Sequence, residues 1–124
     1  MNRNRRVEDY MKVIYRLQEN DLVRGVDIAR ELGVSKPTVS VALREMEASG
    51  LITVHLSRSV ALTEEGERIA RRVIDRFDTI YGLLTDLGVD EPTAREDACK
   101  MEHGVSDASL KALSELRRSL REAR

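Results

Sequence analysis

The sequence predicts a mainly α fold: three helices, a β-hairpin, then three more helices. Three observations predict it. Apolar residues recur at helical spacing over most of the 124 residues. Gly33, Gly50, Gly88 and Gly104 stand where successive periodic runs stop, and Pro37 and Pro92 stand where new ones begin. A strand pattern appears only in two short runs, 51–54 and 60–63. Helix, helix, helix, hairpin is the order of a winged helix-turn-helix. It is assigned to residues 1–72, and a helical domain to 73–124.

The first helix is read over residues 6–19, with Val7, Tyr10, Met11, Ile14 and Leu17 as its apolar stripe and Asp9 and Lys12 beside it. A short helix over 26–32 turns Ile28, Ala29 and Leu32 inward and ends on Gly33 as its C-cap. Ser35 caps a third helix, with Pro37 in the first turn where its missing N–H costs nothing. Val39, Ala42, Leu43 and Met46 form that helix's core stripe, and Gly50 ends it. The hairpin turns around Ser57-Arg58-Ser59, with His55 read as an exposed residue of its first strand. Thr63 caps a long helix whose first turn holds Glu64 and Glu65, the sign that suits the helix dipole. Ile69, Val73, Phe77, Ile80 and Leu84 carry its apolar face to Gly88. Pro92 opens the next helix, Gly104 closes it, and Ser106 caps the last, lined by Leu110, Leu113, Leu116 and Leu120.

Composition excludes several classes. A net charge of −1 gives no global pull on nucleic acid, so any DNA-binding surface must be a local patch. Residues 1–63 hold 10 Lys/Arg against 8 Asp/Glu and the remainder 11 against 14, a change from +2 to −3. The single cysteine excludes an intramolecular disulfide and fits a reducing cytoplasm. No apolar run is long enough for a membrane span or a signal-peptide core. With two histidines and neither H-E-x-x-H, a nucleophile elbow nor a phosphate-binding loop, the chain does not read as an enzyme.

Two groups of residues carry chemistry. Cys99, Glu102 and His103 fall at i, i+3 and i+4, which on a helix places a thiolate, a carboxylate and an imidazole on one face, able to converge on a metal ion. Glu96, one turn earlier, is a further candidate ligand. The second group is the third helix. At about 100° per residue its outward face is Pro37, Val41, Arg44 and Ala48, an apolar strip suited to thymine methyls in the major groove. Arg44 can reach a phosphate or a guanine, and Ser35, Lys36, Thr38 and Ser40 flank it for phosphate contacts. Arg58 at the wing tip can reach a phosphate or the minor groove. Arg3, Arg5 and Arg6 make a basic start.

These residues sit in a longer ordered set. Glu8-Asp9-Tyr10 and Ile14-Tyr15 are followed by Asp27-Ile28-Ala29 and by Leu32-Gly33-Val34-Ser35-Lys36-Pro37-Thr38-Val39-Ser40. Gly50-Leu51, Leu62-Thr63-Glu64-Glu65-Gly66, Ala98-Cys99-Lys100-Met101-Glu102-His103 and Val105-Ser106 complete it. In this order the chain resembles the diphtheria toxin repressor family of metal-dependent regulators, which includes the manganese transport regulators. The resemblance is to the short, manganese-regulator form, in which no SH3-like third domain is expected. The resemblance implies a homodimer formed through the C-terminal helical domain, with two winged helices on a palindromic double-stranded DNA operator.

It also implies a ligand set. Asp9 matches the manganese-type ligand of the first helix, and Cys99, Glu102 and His103 match the later ligands. Lys12 stands where manganese regulators carry a second-site Glu, and Phe77 where the family commonly has a His. Tyr81 and Arg95 fall at places that iron-type members give to further ligands. One divalent ion per subunit, Mn2+ or Fe2+, is therefore expected rather than a pair, with water or Glu96 completing its shell. The function implied is a cytoplasmic, metal-dependent repressor of metal-ion homeostasis. The alternative is a metal-independent winged-helix regulator of the same fold. Ile80, Leu83, Leu84 and Leu87 are expected to supply part of the two-fold interface.

Overall fold

The computed structural model describes the backbone of residues 2–123 and the side chains of residues 5–123. Its elements run α1 (Asn2–Gln18), β1 (Val23–Arg24), α2 (Gly25–Leu32), α3 (Lys36–Ala48), β2 (Ile52–Val54), β3 (Ser59–Leu62), α4 (Glu64–Asp86), α5 (Glu91–Met101) and α6 (Asp107–Glu122). The chain divides into two compact units, Met1–Arg71 and Arg72–Arg124, with the boundary inside α4.

The first unit is a winged helix. Tyr10, Met11 and Ile14 from α1, Ile28 and Ala29 from α2, Val39, Ala42 and Met46 from α3, and Val23, Ile52 and Val60 from the sheet make one buried core. Periodicity anticipated most of it, because helical stripes and alternating strands bury the residues that recur on one face. It missed β1, whose two residues complete a three-stranded antiparallel sheet in the order β1-β3-β2. Val23 pairs with Val60, and Val54 pairs with Val60 from the other side. Two residues are too few to show a strand period, and only the open edge of β3 makes them a strand.

The ends of the helices are built as their residues dictate. Gly33 adopts φ 68°, the left-handed conformation that a C-cap favours, and its N–H bonds to the Ala29 carbonyl. Ser35 Oγ accepts from the Thr38 amide at 3.2 Å, which satisfies one otherwise unpaired donor at the start of α3. Thr63 does two jobs at the base of the wing. Its hydroxyl donates to the Gly50 carbonyl at 2.7 Å and accepts from the Gly66 amide at 3.2 Å. Gly66 has to be glycine here: a Cβ would lie 2.2 Å from the Leu51 carbonyl oxygen.

In the second unit, Phe77 and Ile80 of α4 and Ala98 of α5 form a buried cluster, against which Tyr81, Leu84, Cys99, Val105, Leu110 and Leu113 pack. Asp90 caps α5 by accepting from the Thr93 amide at 3.1 Å, and this bond holds its carboxyl below the ordinary aspartate range. Two expectations change here. Ile80 and Leu83 are buried within the chain, so of the four proposed interface residues only Leu87 is well exposed, at 62%. The helix that carries the C-x-x-E-H motif ends at Met101, so Glu102 is its C-cap and His103 lies in the following turn. The apolar period cannot locate that end, because the last helical turn and the turn beyond it carry the same residue types.

Candidate functional site

The first unit presents the face of α3 that the spacing picked out. Val39, Ala42 and Met46 are buried and Leu43 is half-buried, while Ser35, Lys36, Pro37, Thr38, Ser40 and Arg44 are exposed. Val41 is 46% exposed, an apolar side chain turned to solvent between polar neighbours. Beside it runs a groove of about 390 Å³ lined by Ser40, Leu43, Arg44, Glu47, Val54 and Arg58. Helix and wing thus share one concave surface. Glu47 fixes the wing to the helix by accepting from the Val54 amide at 3.1 Å, a contact that no spacing rule announces.

The wing turn is tightly held. The Arg58 amide donates to the His55 carbonyl at 2.8 Å, and the His55 amide donates to the Ser59 carbonyl at 2.9 Å. His55 therefore belongs to the turn and not to the strand. Arg58 is the non-glycine residue with positive φ among those described, at 68°. An arginine there carries a backbone cost that glycine would not. Leu56, which the sequence did not single out, is fully exposed at the same tip. At the basic start, Arg6 is engaged within the unit, 3.1 Å from the Glu45 carboxylate and over the Tyr10 ring. Arg5 is exposed, and the Arg3 side chain lies outside the described residues.

In the second unit the structure brings together Glu102 and His103. Glu102 is 2% exposed, and its Oε1 lies 3.3 Å from His103 Nε2. A carboxylate so buried needs a positive or donating partner, and an imidazole beside it supplies one ligand nitrogen next to one ligand oxygen. This hard-oxygen and borderline-nitrogen donor set suits Mn2+ or Fe2+. Glu102 keeps helical dihedrals (φ −56°, ψ −27°), but the Cys99 thiol does not converge with the Glu102 and His103 ligand atoms to within 4.8 Å. Cys99 is half-buried against the Phe77 cluster. Glu96 points elsewhere, pairing with Lys100 at 3.3 Å on the exposed face of α5. In the first unit, Asp9 is half-buried, and Lys12, read as lying beside the apolar stripe, is 7% exposed.

The positions of Phe77, Tyr81 and Arg95 are filled by a stack. The two rings lie 5.5 Å apart at 9°, and the Arg95 guanidinium sits 5.1 Å from the Tyr81 ring centre. Neither an aromatic ring nor a guanidinium is a donor for a divalent metal ion.

A helix-turn-helix with a wing, joined to a helical domain that carries a buried carboxylate–imidazole pair, defines a class: winged-helix regulators with a metal-binding domain. Comparison with known proteins gives the family. The profile described as the N-terminal DNA-binding domain of iron-dependent repressors matches residues 4–60. That described as their metal-binding and dimerisation domain matches residues 63–123. The chain belongs to this family of metal-dependent transcriptional repressors.

Among its relatives, the transcriptional regulator MntR of Escherichia coli O6:H1 is 40% identical over 112 residues, 90% of this chain and 72% of that protein. The diphtheria toxin repressor of Corynebacterium glutamicum is 37% identical over 111 residues, 88% of this chain and 49% of that one. A manganese-dependent transcriptional repressor solved with manganese superposes with a TM-score of 0.82 at 31% identity, over 90% of this chain and 52% of that one. The manganese regulator SloR superposes at 0.78 and 28% identity, over 89% and 52%. The chain thus spans about half the length of these solved structures. No helix among the described residues is long and apolar enough to cross a membrane.

Proposed function

We propose that this chain represses genes of metal-ion homeostasis from the cytoplasm, as a homodimer on a palindromic operator, in response to Mn2+ or Fe2+. The observation that carries the reading is the buried Glu102 carboxylate beside the His103 imidazole, in a chain whose other unit exposes a winged-helix face. The proposed ligands are Asp9, Cys99, Glu102 and His103, with water completing the shell. Glu96 is left out, since it is committed to Lys100 on the exposed face. The bound ion would supply a fixed positive charge that favours the DNA-binding form over the others available to the chain, a population shift. The residues proposed to meet DNA are Ser35, Lys36, Pro37, Thr38, Ser40, Val41, Arg44 and Arg58. The aromatic stack at Phe77 and Tyr81 supports a single ion per subunit.

The test is operator binding by the full chain across a panel of divalent ions, with a chelator control. Mn2+ or Fe2+ should tighten binding at least tenfold, and His103→Ala should lose that response while remaining folded. Equal binding in chelator would replace this reading with the metal-independent regulator, the alternative that the positive charge of Lys12 favours.

A further inference from the structure

Arg76 lies on α4, 6% exposed. Its Nη2 donates to the Val105 carbonyl and, at 3.2 Å, to the Asp107 carboxylate. Arg72, one turn earlier on α4, donates to the same carboxylate oxygen at 3.0 Å. Two arginines of one helix thus hold the segment that leads into α6, where Ser106 caps the helix by accepting from the Ser109 amide at 3.1 Å. Between this anchor and the end of α5 stand Glu102, His103 and Gly104, closed by a 3.0 Å bond from the Gly104 amide to the Met101 carbonyl. The turn that carries His103 is therefore fixed at both ends, by α5 on one side and by Arg76 on the other.

Packing alone does not account for an arginine here. Its Nη1 is buried and finds no acceptor among the described residues. An unmade hydrogen bond on a buried cation is a cost that methionine or leucine of similar volume would avoid. What the guanidinium provides is one nitrogen, Nη2, whose two in-plane N–H groups meet a carbonyl and a carboxylate at once, with directions that the rotating donors of a lysine ammonium do not fix. Asp107 balances its charge, and Arg72 holds Asp107 in place, keeping that carboxyl below the ordinary aspartate range.

We propose that Arg76 is a positioning residue for the metal centre, holding the 103–105 turn so that the His103 imidazole stays beside Glu102 before any ion arrives. The inference rests on the reading of Glu102 and His103 as metal ligands. Its effect is preorganisation: a ligand already in place loses less freedom when the ion binds.

The test uses the full chain and Mn2+ alone. Free Mn2+ is followed by electron paramagnetic resonance, and amide exchange at Gly104 is measured without metal. The variants are Arg76→Met, Arg76→Lys and, as a control for lost packing, Leu113→Ala from the apolar cluster. Arg76→Met should bind Mn2+ at least tenfold more weakly and exchange the Gly104 amide at least tenfold faster. Arg76→Lys, which keeps the charge and a donating nitrogen but not its planar geometry, should recover part of both, and it carries the test alone if the methionine variant does not fold. Leu113→Ala should lower the melting temperature yet keep Mn2+ affinity within twofold. Wild-type affinity and wild-type exchange in Arg76→Met would overturn the proposal, and so would equal losses in Arg76→Met and Leu113→Ala. Wild-type protein that takes up no Mn2+ would instead overturn the metal reading, and this inference with it.

Discussion

Two glycines of α4 face clashes of the same nominal size and should answer oppositely to alanine. A Cβ on Gly66 would lie 2.2 Å from the Leu51 carbonyl oxygen, and 3.2 Å from both Leu51 C and Leu62 Cδ2. Ordinary contact begins near 3.4 Å, so the carbonyl must retreat by 3.4 − 2.2 = 1.2 Å. It is backbone, and it already accepts from the Thr63 amide at 3.0 Å. Overpacking costs about 1–3 kcal/mol, and loss of that hydrogen bond adds about 0.5–1.5 kcal/mol. The better helix propensity of alanine returns at most about 1 kcal/mol. The clash wins, and Gly66→Ala should lose ~0.5–3.5 kcal/mol, or at least roughly 2 °C and up to about 25 °C in melting temperature for a unit of this size. Because Leu51 leads into β2, operator affinity should fall with stability. A Cβ on Gly82 would also lie 2.2 Å from its neighbour, but that neighbour is the Arg117 guanidinium, the far end of a flexible side chain. It can swing away, so Gly82→Ala should melt at or above the wild-type temperature. Thermal denaturation followed by circular dichroism compares the two. A Gly66→Ala protein that melts within 2 °C of wild type would refute the backbone-clash argument.

The sequence exposed this fold wherever one element's own residues set its structure. Val39, Ala42 and Met46 could be assigned to the core and Val41 to the surface, because a helix repeats its faces regardless of what it packs on. Ser35, Gly33 and Thr63 could be read as caps, because capping is a local hydrogen bond. What depended on a distant partner stayed hidden. β1 exists because β3 has an edge to offer, and Ile80 is inward because Phe77 and Ala98 cluster with it. The metal motif lies between these cases. The residue types of Cys99, Glu102 and His103 were plain, but not the end of the helix at Met101, nor that Glu102 rather than His103 is the more deeply buried. Arg76 was missed altogether. The one trace it left is the i, i+4 pair of arginines on α4 with an aspartate just after the Ser106 cap, a pattern shared with many solvated helix faces.

Acid should separate Asp107 from its neighbours. Its carboxyl is held below the ordinary range first by the Arg72 hydrogen bond, then by the charges of Arg72 and Arg76. A depressed folded value contributes stability above the unfolded pKa of about 3.9 and loses it as pH falls through the folded value. Wild type should therefore outlast Asp107→Asn in thermal melts at neutral pH, with the gap closing below about pH 4; a gap independent of pH would exclude the ion pair as its source. On the DNA side, Val41→Ser should weaken the specific site by about 1 kcal/mol and leave non-specific binding nearly intact, if the valine meets a thymine methyl. Arg58→Ala should weaken all sequences and reduce the salt slope by about one. Arg58→Gly sharpens the case, because it removes the same side chain while relieving the backbone at φ 68°. If the arginine is kept in that conformation for what its guanidinium touches, the glycine variant should match or exceed wild-type stability and still bind DNA as weakly as the alanine variant. Wild-type DNA affinity in Arg58→Gly would show that the wing needs only its turn, and would remove Arg58 from the DNA interface.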